Sequence, residues 1–160
     1  MFVNYIGPAL TLLGAALAAI LPGMGSAVAV GRVGEAAAGV VTEDPDKFGK
    51  LLILQALPGT QGIYGLLSWF LIMNFSGMLG GNIDLSWQQG ALYFLASLPI
   101  TVVGYGSAVK QGRVSEAGCA LVAKRPEHQV KAIIMAAMVE TYAILALLAT
   151  VLGTMAVPTS

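Results

Sequence analysis

Gly106–Ala117 reads GSAVKQGRVSEA, and Gly25–Ala36, 81 residues earlier, reads GSAVAVGRVGEA. Nine of the twelve positions are identical, and at the same offset Pro45 meets Pro126, Lys50 meets Lys131, Ile53 meets Ile134 and Thr60 meets Thr141. Identities held in one register over more than one helix mark a duplicated structural unit rather than biased composition. The unit reads as a helical hairpin, one copy in residues 1–80 and one in 81–160. The register also exposes an asymmetry: Glu140 falls opposite Gly59, so only the second hairpin carries a carboxylate at that level.

The rest of the chain says where such hairpins live. Of 160 residues, 57% are hydrophobic and 10% charged, and the mean hydropathy is +0.81. These values lie far outside the range of soluble domains and predict an all-α integral membrane protein. Charge-free runs mark the spans: 1–31, 51–83, 85–109 and, apart from Glu140, 132–160. Each exceeds the roughly 20 residues needed to cross a bilayer, which predicts four transmembrane helices. The opening MFVNYIGPAL has no basic segment, so a cleaved signal peptide is a poor reading of it. Formal net charge is zero, so nothing points to nucleic acid, and the lone Cys119 excludes an internal disulfide and reads as a small packing residue.

All eight Lys and Arg fall in two windows, 32–50 and 110–131, between spans one and two and between spans three and four. The positive-inside rule then places the hairpin loops, 43–47 and 124–127, in the cytoplasm and both termini outside a cell membrane crossed several times. Pro45 and Pro126 are turn signals, since a proline can open a helix where its missing N–H is unpaired in any case. In the outward connection, Asp84 or Ser86 can cap the third helix. Gly23, Ala27 and Gly31 repeat as Gly104, Ala108 and Gly112. A spacing of four puts each set on one face and makes spans one and three packing helices. Arg32 with Glu35, and Arg113 with Glu116, are three apart and read as solvated or paired charges where these helices leave the bilayer.

Glu140 is the only charged residue after Lys131. A bare charge in hydrocarbon costs a few kcal/mol or more, so this carboxylate must be protonated, paired or bound to a cation. Counting from the hairpin prolines, Glu140, Gln111, Thr60 and Gln61 all lie roughly 21–24 Å from the turns if the helices run antiparallel. Tyr64 is one turn further on, but helix side chains lean back toward the N-terminus and bring its hydroxyl to that level. The layer offers a carboxylate, two amide oxygens, a threonine hydroxyl and a phenol. Such oxygens suit a small hard cation, and without Cys or His nearby a transition metal does not fit. Pro58 adds a backbone argument. It has no N–H, so the carbonyl of Leu54 loses its helical partner, and Gly59 invites local irregularity. Lys110, next to Gln111, requires that the layer sit near the cytoplasmic boundary or that Lys110 snorkel away from lipid.

Together the duplicated hairpin, LPGTQGIYG, KQGRV and MVETYAILA resemble the proteolipid subunit of V-type ATPases in its bacterial sodium-type form. The resemblance covers essentially the whole chain. It implies a rotor ring of identical subunits embedded in lipid, with helices one and three inside and two and four outside. It implies sodium held by the Glu140 carboxylate, the side chains of Thr60, Gln61 and Gln111 and a main-chain oxygen of Leu57, with Tyr64 bonding the carboxylate. It also implies a stator membrane subunit with an arginine opposite Glu140 and a central stalk subunit at the hairpin turns TEDPDK and AKRPEHQ. ATP hydrolysis would lie on other subunits, and this chain has no G-x-x-x-x-G-K-[ST].

A proton site needs only a carboxyl group and one partner, which would leave Gln61, Gln111 and Thr60 as surplus oxygens costing free energy in lipid. Sodium uses all of them, so sodium is the expected ion and a proton the alternative. A small secondary transporter would more naturally have inverted repeats and polar groups on several helices, whereas span one offers little beyond Ser26. A pore-forming proteolipid would show a continuous polar stripe, and none is visible.

Overall fold

The computed structural model describes residues 5–158; residues 1–4 and 159–160, the ends of the first and last charge-free runs, lie outside it. The described residues are almost all helical and include no strand, with α1 (Ile6–Glu43), α2 (Phe48–Ala56), α3 (Thr60–Phe75), α4 (Trp87–Pro99), α5 (Tyr105–Lys124) and α6 (Gln129–Met155). Three continuous helical segments are long and apolar enough to cross a bilayer: Ile6–Glu43, Trp87–Lys124 and Pro126–Met155. The second charge-free run is instead helical in two pieces. Pro58, which removes a backbone donor, sits in a 3-10 turn, Leu57–Gly59, that separates α2, nine residues long, from α3, sixteen residues long. Neither piece alone reaches the length of a span.

Both hairpin turns are built alike. A proline ring disfavours helical backbone in the residue before it. Asp44 accordingly ends α1 at φ −144°, ψ 91°, and Arg125 ends α5 at φ −143°, ψ 76°. Pro45 and Pro126 then each open a 3-10 turn, Pro45–Lys47 and Pro126–His128. At the other end of the molecule Gly77 and Gly81, with φ of 75° and 86°, supply the left-handed residues that turn the chain out of α3. Ser86, rather than Asp84, caps α4: its hydroxyl accepts from Gln89 N–H while the Gln89 side chain accepts from Ser86 N–H.

One irregularity goes beyond the expected third span. Pro99 cannot close the usual helical bond, and the wider π-helical turn Ile100–Gly104 follows it. The N–H of Ile100 donates to Thr150 Oγ1 of α6 at 3.2 Å.

α1 is the central helix and packs against α3, α4 and α5, while α6 packs against α5 and α4. Small residues set the spacing. A Cβ placed on Gly112 would lie 2.6 Å from the Ala29 Cβ, and one on Gly25 would lie 2.9 Å from the Tyr105 carbonyl oxygen. The Pro22 ring is held between Gly65 and Gly104 in the same way. The two matching stripes therefore differ in surroundings. Gly104, Ala108 and Gly112 are buried inside the chain, whereas Ala27 is exposed and Gly23 and Gly31 face open space.

Arg32 pairs with Glu116 on α5 rather than with Glu35 on its own helix. The close approach of α1 and α5 brings the second hairpin's carboxylate within reach, so the expected pairing along one helix gives way to one between hairpins. Cys119 is 1% exposed and packs with Val33, Leu51, Leu54 and Val122. The outward faces of α3 and α6 stay apolar, with Ile63, Leu66, Met138, Leu145 and Leu152 all exposed. Apolar faces of this extent belong against lipid or other protein.

Candidate ion-binding site

The site lies where the first hairpin meets the second. The 3-10 turn at Pro58 delivers Thr60, Gln61 and Tyr64 at the start of α3. The Leu57 carbonyl accepts a hydrogen bond from Thr60 Oγ1 at 3.0 Å. The proline argument from sequence points one turn earlier, to the Leu54 carbonyl, whereas the carbonyl that meets a polar side chain of the layer is that of Leu57.

Opposite these, α5 contributes Gln111 and α6 contributes Glu140. Tyr64 Oη donates to Glu140 Oε1 at 2.5 Å, and Gln111 Nε2 donates to Glu140 Oε2 at 3.3 Å. Gln61 Nε2 donates to Gln111 Oε1 at 2.5 Å. Gln61 Oε1 lies 3.5 Å from Thr60 Oγ1, whose single proton is better placed on Leu57. Tyr64, Glu140, Gln111 and Gln61 thus form one hydrogen-bonded chain, and Thr60 stands beside it, bonded to the Leu57 carbonyl. Both glutamines are 0% exposed, and Glu140 and Tyr64 are half-buried.

One member of this network, Ser107, escapes the sequence reading. Ser107 Oγ accepts from Gln61 Nε2 at 3.2 Å and donates to the Val139 carbonyl at 3.0 Å, tying α3 to α5 and α6. Its signal is its spacing: it lies four residues before Gln111, and so on the same helix face. Its counterpart in the repeat, Ser26, accepts from Gly62 N–H at 2.9 Å and braces α3 from the other side. Lys110, adjacent to Gln111, is exposed on another face of α5 and lines a surface groove with Gly106, Val139 and Tyr142.

Among the described residues no three His, Cys, Asp or Glu side chains cluster as a transition-metal site would require, and Glu140 has no cationic partner among them. Carboxylate, carbonyl and amide oxygens each retain a free lone pair after accepting one hydrogen bond. The arrangement can therefore neutralise one positive charge, as a proton or a small hard cation, and little else.

The ATP synthase C-subunit family matches the chain twice, over residues 13–72 and 94–152. The chain belongs to that family. The two matches begin 81 residues apart, the offset of the repeat. Over 139 residues the chain is 51% identical to the V-type sodium ATPase subunit K of Enterococcus hirae, covering 87% of this chain and 86% of that one. It is 38% identical over 139 residues to the A-type ATP synthase subunit K of Methanocaldococcus jannaschii, of which that stretch covers 59%. As a family member it is a multi-pass membrane proteolipid of a rotary ATPase, a rotor component with no catalytic centre of its own, and membership implies a ring of identical subunits.

Proposed function

We propose that this chain is the sodium-carrying rotor subunit of a V-type ATPase and that Glu140 is the carrier. In this reading each chain supplies two hairpins, residues 1–80 and 81–160, and crosses the membrane four times, with Phe48–Phe75 acting as one broken span. The hairpin turns at 43–47 and 124–127 face the cytoplasm and meet the central stalk; both termini face outward. Sodium is held by the Glu140 carboxylate, the side-chain oxygens of Gln61, Gln111 and Thr60 and the Leu57 carbonyl, while the Tyr64 hydroxyl steadies the carboxylate.

The observation that carries the proposal is the composition of the network: one carboxylate among more neutral oxygens than a protonated carboxyl group needs. Loaded with one monovalent cation, the network is neutral and can pass lipid. Emptied, Glu140 is an anion that must stay beside water or a fixed cation, a role suited to an arginine on a stator subunit. Occupancy then gates rotation. The sodium ATPase relative in Enterococcus hirae supports the choice of ion.

Labelling with a hydrophobic carbodiimide tests the reading. In the assembled ATPase, Glu140 is expected to be the single reactive carboxylate, sodium is expected to protect it at neutral pH, and partial labelling is expected to stop ATP-driven transport. Labelling that followed pH alone would make the site a proton carrier; labelling that left transport intact would remove Glu140 from the mechanism.

A further inference from the structure

We propose that Arg113 of one copy of the chain forms an ion pair with Glu35 of the next, so that the contact between neighbouring copies repeats the contact between the two hairpins within one chain. The inference rests on the ring reading and adds to it the residues that set neighbours in register.

The repeat supplies the geometry. Within the chain, Arg32 on α1 pairs with Glu116 on α5. Moving each partner by the repeat offset of 81 turns Arg32 into Arg113 and Glu116 into Glu35. These cannot meet in the same sense within one chain, because the step that carries the first hairpin onto the second carries the second onto a first hairpin outside it. Arg113 and Glu35 are both exposed, and neither has an ion-pair partner among the described residues.

The backbone contacts transform the same way. Inside the chain Gly112 fits against Ala29, leaving no room for a Cβ. The equivalent contact sets Gly31 against Lys110, and Gly31 has nothing within 4 Å of the place a Cβ would take. Gly106, the counterpart of the crowded Gly25, is open as well. A glycine kept at both repeats, crowded in one and open in the other, fits a surface that a second copy covers. It also gives Lys110 a place: its aliphatic stem lies over Gly31 of the neighbour while the ammonium reaches solvent.

A contact of this kind is head to tail, and such contacts close into rings when the rotation permits. Repeated around the ring, pairs within chains alternate with pairs between chains. Opposite charges at these positions fix register, and like charges in their place are strongly unfavourable.

The test uses the full chain carrying Cys119→Ala. With Glu35→Cys and Arg113→Cys together, a short bis-maleimide applied to membranes is expected to give a ladder of covalent multimers after denaturation. With Arg32→Cys and Glu116→Cys, the same reagent is expected to link within one chain and leave the mass of a monomer. Separately, Arg113→Glu is expected to lower the fraction of rings surviving a detergent challenge several-fold, and Glu35→Arg added to it is expected to restore that fraction. Rings intact by native mass spectrometry but without a ladder from 35 and 113, or without rescue by the swap, would overturn the proposal and leave the rotor reading standing. Absence of any ring in gentle detergent would overturn both.

Discussion

The two hairpins share a plan and differ in a handful of side chains. In the second, Glu140 and Gln111 meet the first hairpin's Gln61 and Tyr64. The positions that would build the same network in the next repeat of the pattern hold Gly59 for Glu140, Val30 for Gln111, Tyr142 for Gln61 and Leu145 for Tyr64. One feature survives in both: Thr60 Oγ1 donates to the Leu57 carbonyl at 3.0 Å, and Thr141 Oγ1 donates to the Met138 carbonyl at 2.8 Å. That bond is ordinary helix chemistry and marks no site by itself. What separates the two regions is that a carboxylate has been placed together with its partners or omitted together with them, as the cost of an unpaired charge in lipid requires.

The largest expected effect comes from moving the charge. Glu140→Gln should leave the ring assembled and abolish ATP-driven ion uptake into vesicles, because an amide keeps the shape but cannot alternate between charged and neutral. Adding Gly59→Glu to that variant should not restore uptake, since a carboxylate at 59 would lack the Gln111 and Tyr64 equivalents; recovered uptake would mean that either hairpin can host the carrier. Next come the buried amides. Gln61→Ile or Gln111→Leu should weaken sodium protection of Glu140 by about tenfold or more, given about 1–3 kcal/mol for a buried polar partner left unsatisfied. Tyr64→Phe removes one donor to the carboxylate and should shift the same protection curve by up to about tenfold, with the bound state still formed; in the loaded, neutral site a hydrogen bond is worth a net of about 0.5–1.5 kcal/mol. The smallest shift is expected for Ser107→Ala, only a few-fold, because Gln61 keeps its bond to Gln111. A Ser107→Ala effect as large as that of Gln111→Leu would mean that Ser107 touches the ion.

Much of this comparison is legible in the sequence. The repeat locates both hairpins, Pro45 and Pro126 locate both turns, and level counting from those prolines selects Gln61, Gln111, Thr60 and Tyr64 as neighbours of Glu140. Counting works here because helices have a fixed rise and the prolines give a shared origin. It does not report rotation about the helix axis, and the misses lie there. Level counting passes over Ser107 although it shares a face with Gln111. Spacing along one helix matches Arg32 with Glu35, when the glycine contact between α1 and α5 brings Glu116 closer. The π-helical turn after Pro99 has its first N–H bonded to Thr150, fifty residues away, and no local pattern announces such a partner. Leu57 enters through family resemblance alone, because the missing Pro58 N–H frees the Leu54 carbonyl and that argument says nothing of the carbonyl one turn later, which Thr60 engages.

Two ties join the hairpins at their turn end. Lys47 Nζ donates to the carbonyl of Ala123 at 2.8 Å, and Gln129 Nε2 donates to the carbonyl of Lys50 at 3.3 Å. In each, one end is a particular side chain and the other is an atom that every amino acid carries. Sequence drift at 123 and at 50 therefore leaves both ties in place, while change at 47 or 129 removes one. The loops can diversify on the accepting side and remain fastened, so mutational tolerance at this end of the molecule should be lopsided, wide at the carbonyl positions and narrow at the two donors.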